Sequence, residues 1–175
     1  MNKTSCILPV VVLILCGGAA RAADGFGAVR CGSDVSKALI GKTMSNERVV
    51  VLEARHKTIG LKNLGGSEVS ERLFLASWQI CGKEYALLEE KDVVRGVLEF
   101  PPHSKDAPEF TGSCQRNGKQ TPGTIIAVLE NRKGAETLPA KAAWNIDETG
   151  KKFVKLPTDG LACPRDGVIT ADGGL

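Results

Sequence analysis

Two side chains can exchange a proton near neutral pH by their ordinary chemistry: His56 and His103, the only histidines among 175 residues. Each is a candidate general base or metal ligand. They lie far apart in sequence, and neither belongs to a compact ligand motif. A zinc site would also compete with disulfide formation for the cysteines. A structural or solvated role therefore suits each histidine better, and no metal and no cofactor is expected.

Other reactive groupings are weaker. Glu89, Glu90 and Asp92 are close enough in sequence to suggest the paired carboxylates of glycoside hydrolysis. They fall at an expected hairpin turn, where acidic side chains are ordinarily just solvated. Ser67 follows two glycines but lacks the pattern of a nucleophile elbow. Residues 36–43, SKALIGKT, resemble a phosphate-binding P-loop, but Ser36 stands where the first glycine must be and no strand precedes it.

The cysteines depend on the leader. Residues 1–22 read as a signal peptide: Lys3 is basic, residues 7–16 are apolar, and Ala20-Arg21-Ala22 fits a cleavage site. The apolar run is short for a membrane span, and Leu15 spoils the lipobox that Cys16 would need. A single mature domain is expected over residues 23–175, with loose Gly-rich ends and no membrane span. Loss of Lys3 and Arg21 leaves 21 basic residues against 20 acidic ones, too even a balance to steer nucleic acid. Cys31, Cys81, Cys114 and Cys163 remain, implying two disulfides and a periplasmic or secreted location. Such bridges exclude a catalytic thiolate. Three pairings are possible. Mature termini often lie close together, which favours Cys31–Cys163 with Cys81–Cys114.

The elements that must position these groups are mostly strands. Residues 73–81 alternate, with Phe74, Ala76, Trp78 and Ile80 on one face. Strands over 84–89 and 93–100 follow after short turns, giving an antiparallel meander. Ser33 or Asp34 caps a short helix ending near Ile40, with Val35, Ala38 and Leu39 on one face and Gly41 as the stop. Residues 49–56 alternate and read as a strand. Residues 58–67 hold Gly60, Gly65 and Gly66 and read as a loop. Further strands are expected at 124–131, 142–146 and 151–156. The fold class is α+β, mostly β: one short N-terminal helix on an antiparallel sheet of six or seven strands.

There is also an internal echo. Residues 51–55, 76–80 and 82–85 are matched in order by 128–132, 142–146 and 150–153. A duplicated three-strand unit and a coincidence among strand-favouring residues both account for it. On either account, Trp78 and Trp144 belong in the core.

Residues 101–123 form a long irregular stretch with Pro101, Pro102 and Pro108. Loops of this length in compact domains are usually functional or disordered. The expected binding residues are His103, Lys105, Glu109 and Phe110, with Phe110 as the apolar anchor. The favoured function is a non-catalytic exported binding protein, possible forms including an inhibitor of another exported protein. The rivals are a small exported hydrolase using His56 or His103 with a nearby carboxylate, and an envelope structural or assembly subunit.

Overall fold

A computed structural model of the chain describes residues 24–169; the leader lies outside them. The N-terminal segment is not loose as expected. Asp24 caps a 3-10 turn at Gly25–Ala28, its carboxylate accepting from the Gly27 N–H. Phe26 is buried and meets Trp78 edge-on, with ring centroids 4.9 Å apart. Gly25 lets the same segment lie directly against residues 42–44, because a Cβ there would come within 2.9 Å of the Lys42 Cβ. Aromatic burial thus outweighs glycine's freedom.

The expected first helix forms as α1 (Val35–Leu39), with Asp34 accepting from the Lys37 N–H at 3.0 Å. Val35 and Leu39 are buried. A second helix, α2 (Val49–Arg55), replaces the strand expected there. Its alternation was a misleading signal over so short a run. Only Leu52 is buried; Val50 is exposed.

The first sheet is an antiparallel meander of β1 (Lys62–Ser70), β2 (Leu73–Ile80), β3 (Lys83–Glu90) and β4 (Val93–Glu99). The last three match expectation. β1 begins within residues 58–67, where the glycines predict a loop; they instead mark a bulge and a close approach. Gly65 (φ 112°) lies at the bulge, and a Cβ on Gly66 would come within 2.6 Å of the Leu75 carbonyl oxygen.

The second sheet joins the strands expected near 124–131, 142–146 and 151–156 to residues expected to be irregular. Its strands are β5 (Glu109–Gly112), β6 (Gln115–Arg116), β7 (Lys119–Gln120), β8 (Ile125–Leu129), β9 (Thr137–Asp147), β10 (Lys152–Leu156), β11 (Leu161–Pro164) and β12 (Val168–Ile169). Their order is β12-β5-β8-β9-β11-β6-β7, with β10 also pairing β9. The described part of the C-terminal tail packs as well: Leu161 and Cys163 are buried on β11, and residues 170–175 lie outside the described residues.

Three apolar clusters hold the layers. The helices cover one face of the first sheet through Leu39, Leu52, Trp78, Ile80 and Leu87. The other face meets the second sheet through Leu75, Leu88 and Phe100 against Ile126, Val128 and Ile146. The second sheet wraps its own core of Phe110, Ile125, Leu129, Leu138 and Leu161. β2 is therefore buried on both faces, while Phe74, expected inward, is 40 % exposed. Trp78 is buried and Trp144 partly so.

The disulfides correct the expected pairing: they join Cys31 to Cys81 and Cys114 to Cys163. The chain completes each layered half in turn and staples it internally. Cys31 precedes α1 and meets the β2–β3 turn, while Cys114 follows β5 and meets β11. The echo holds only in part. Its second and third pieces fall on the β2–β3 and β9–β10 hairpins, but residues 51–55 are in α2 whereas 128–129 end β8.

Candidate functional site

The three chain segments that meet at the rim of the sheet–sheet seam each supply one polar side chain. Along β3, Ala86 and Leu88 face the second sheet. The two-residue period places Glu84 on that same face. On β5, Phe110 turns into the core of its own sheet, so Glu109 points the opposite way, toward the first sheet. Between β4 and β5 the chain crosses from one sheet to the other and carries His103.

His103 Nε2 lies 3.6 Å from Glu84 Oε2 and 4.0 Å from Glu109 Oε2. Both separations exceed hydrogen-bond length. The side chains are 17, 18 and 13 % exposed for His103, Glu84 and Glu109. The imidazole is placed by an edge-on contact with Phe100, centroids 5.5 Å apart. Phe100 is itself buried and donates its backbone N–H to the Glu84 carbonyl oxygen at 2.8 Å. The three groups thus converge on a common point without hydrogen bonds between them.

Their electrostatics is unbalanced. Burial, and then the nearby charge of Glu84, pushes the Glu109 carboxyl up to about 7 despite the opposing effect of His103. Burial also raises Glu84, again against His103. Among the described residues, His103 is the salt-bridge partner of both carboxylates. One imidazole nitrogen and two carboxylate oxygens, all within 4.8 Å of one another, make a metal-capable donor set.

Of the expected binding residues, His103 and Glu109 come together here. Glu84 was missed, although its place in the EYALLE alternation marks the face it shares with Ala86 and Leu88. Phe110 is no anchor for a partner: it is 3 % exposed in the core of the second sheet. Lys105 lies at an exposed turn above the seam. That turn is firmly held. Ser104 and Ala107 exchange backbone bonds of 2.9 and 3.1 Å, and the Asn131 side-chain amide donates to the Lys105 carbonyl oxygen at 2.8 Å. The Asn131 backbone N–H donates to the Asp106 carbonyl oxygen at 3.1 Å.

The other groupings resolve differently. His56 Nε2 lies 2.7 Å from Asp24 Oδ1, and Arg55 lies 2.7 Å from Asp24 Oδ2 and 2.5 Å from Glu47. Glu90 is buried rather than solvated at its turn. Lys151 meets it at 2.8 Å, Arg72 and Arg95 at 3.1 Å, and the Lys151 hydrogen bond leads the interactions that hold its carboxyl below the usual range. Glu89, on the opposite face, is pushed up to about 7 by burial and by Asp92. Residues 36–43 run from inside α1 into the loop after it, the reverse of the loop-then-helix order that cradles phosphate.

Four clefts of about 310–440 Å³ open on the described surface, and none of the four is lined by Glu84, His103 or Glu109. Comparison of the chain with protein-family models, with curated proteins and with solved structures found no match.

Proposed function

We propose that the protein is exported and acts as a non-catalytic binding protein whose partner is another exported protein. The observation that carries this reading is the turn over residues 104–107. Its backbone is bonded on both sides, Phe100 and Pro108 are buried at its two ends, and Ser104, Lys105 and Asp106 are exposed at its tip. A tip held this way loses little entropy when a partner grips it, which suits a binder or inhibitor. The two disulfides support an oxidising compartment. They also tie up all four cysteines of the described residues, leaving no thiolate there for catalysis.

The test is capture from an extract of exported proteins, with the processed chain as bait. A Lys105→Glu/Asp106→Lys double variant keeps the backbone bonds while reversing the tip's charges. A partner held by the parent chain should bind this variant about tenfold or more weakly. Equal capture by both chains would make the turn a connector.

The assembly-subunit reading has one observation in its favour. β1 is an edge strand of nine residues, and Val49, Val50, Leu64 and Phe74 are exposed near it. The edge is blunted, however. Two bulges interrupt it, and Glu53 of α2 accepts from the Asn63 N–H at 2.8 Å.

A further inference from the structure

We infer that Glu84, His103 and Glu109 form a binding site for a divalent transition-metal ion of the zinc class. The inference does not rest on the partner reading, since an ion would bind with no partner present.

The argument is geometric. Two ligand atoms on a tetrahedral zinc ion, each about 2.0–2.1 Å from the metal, stand roughly 3.3 Å apart. The observed separations from His103 Nε2 are 3.6 and 4.0 Å. All three donor atoms lie within 4.8 Å of one another, so side-chain rotations that shorten these separations by up to about 1.5 Å close the set on an ion. The same separations are too long for the groups to satisfy one another by hydrogen bonding. The donor types choose the ion. Imidazole nitrogen suits zinc and its neighbours, whereas calcium and magnesium take oxygen ligands almost exclusively. The burial fits as well: side chains 13–18 % exposed are withdrawn from bulk water yet reachable by a small ion.

The supports are rigid and independent. Glu84 is fixed on β3 and Glu109 on β5, in different sheets, and His103 is braced by the buried Phe100. The ion would tie the two sheets at their rim, beneath the exposed turn. Three protein ligands leave a fourth position for water or a donor from outside the chain.

The experiment uses the processed chain with both disulfides intact, stripped with a chelator and then dialysed. Zinc is titrated calorimetrically, with calcium and magnesium as separate arms. The expected result is one zinc per chain, calcium and magnesium binding at least about a hundredfold more weakly. His103→Ala and Glu109→Gln should each weaken zinc by at least about tenfold. Because a variant can misfold, the parent chain is also read by histidine NMR: zinc should shift the His103 ring signals and leave those of His56 in place. The inference is overturned by an absence of stoichiometric zinc binding, by undiminished zinc affinity in the folded variants, or by zinc-dependent shifts at His56 instead.

Discussion

His56 and His103 each lie against acidic side chains, yet the charges around them balance differently. At His56 the acids are Asp24 and Glu47, and Arg55 bridges them at 2.7 and 2.5 Å. Burial alone pushes the Asp24 carboxyl up, but the bonds from His56 and Arg55, with the Gly27 N–H, outweigh it and bring it below the usual range. At His103 the acids are Glu84 and Glu109, no arginine or lysine of the described residues joins them, and both carboxyls are raised. The first corner is an ion-pair network centred on Arg55 and Asp24 that ties the N-terminal segment to α2. The second still has electrostatic room for a cation. Like residue types therefore do structural work within the first half of the molecule and form the proposed ion site at the seam between the two sheets.

The largest expected effect comes from loosening the half that carries the first corner. The Cys31–Cys81 bridge closes a separation of 50 residues. Its removal as Cys31→Ser/Cys81→Ser should cost about 4 kcal/mol by the chain-entropy estimate. Chemical denaturation measures it, and an unchanged midpoint would show that packing of Phe26 and α1 alone holds that end.

Next comes the corner itself. Asp24→Asn removes the charge shared by Arg55 and His56, and should destabilise by about 1–3 kcal/mol at pH 7. The pH dependence gives the sign. Because the folded-state carboxyl is lowered, its contribution is fully present above the usual carboxylate range and is lost as pH falls through the lowered folded value. The variant should therefore lose less stability than the parent between neutral and acid pH. Parallel acid limbs for the two chains would mean the corner contributes nothing.

Glu109→Gln tests the opposite balance, in the presence of a chelator. The folded carboxyl is raised from 4.5 to about 7, so between those values the folded state holds more proton than the unfolded one. Stability of the parent must then fall as pH rises through that window. The amide removes the fall and should leave the variant more stable at pH 8 by about 1–3 kcal/mol. A variant less stable than the parent at pH 8 would show that Glu109 already has a cation partner.

The sequence exposed some of this comparison and hid the rest for definite reasons. Period-two alternation revealed β2, β3 and β4, and Asp34 with Gly41 bracketed α1, because those signals are local. The short run at 49–55 is ambiguous between periods, and the burial of Leu52 among residues of the first sheet goes with a helix. Glycines at 65 and 66 signalled a backbone that must bulge and pack closely, which reads like a loop until the partner strand is known. His103 and Glu109 were legible as candidates from their place in the long stretch after Pro101. Glu84 was not, since its meeting with them depends on which face of β3 the second sheet covers. Phe110 misled because an aromatic residue between prolines and glycines looks equally like an anchor and like the core residue it is. The disulfides misled because nothing local reveals that each half closes on itself.

The smallest effect is the most direct comparison of the two histidines, again under chelator. His56→Gln gives up a 2.7 Å contact with Asp24 and a ring packed 5.9 Å from Phe26. It should cost about 1–2 kcal/mol, for the loss of a close electrostatic contact with the Asp24 carboxylate and of the ring's packing. His103→Gln gives up no hydrogen bond, because its distances to Glu84 and Glu109 are 3.6 and 4.0 Å. Its loss is the edge-on contact with Phe100, which sets a ceiling of about 1 kcal/mol. The glutamine amide can also donate to one of the two carboxylates and recover part of that. Denaturation midpoints of the two variants at pH 7.5 should therefore separate, with His103→Gln nearer the parent. If His103→Gln proves the more damaging of the two in metal-free protein, the second corner is a structural network like the first, and the contrast between them fails.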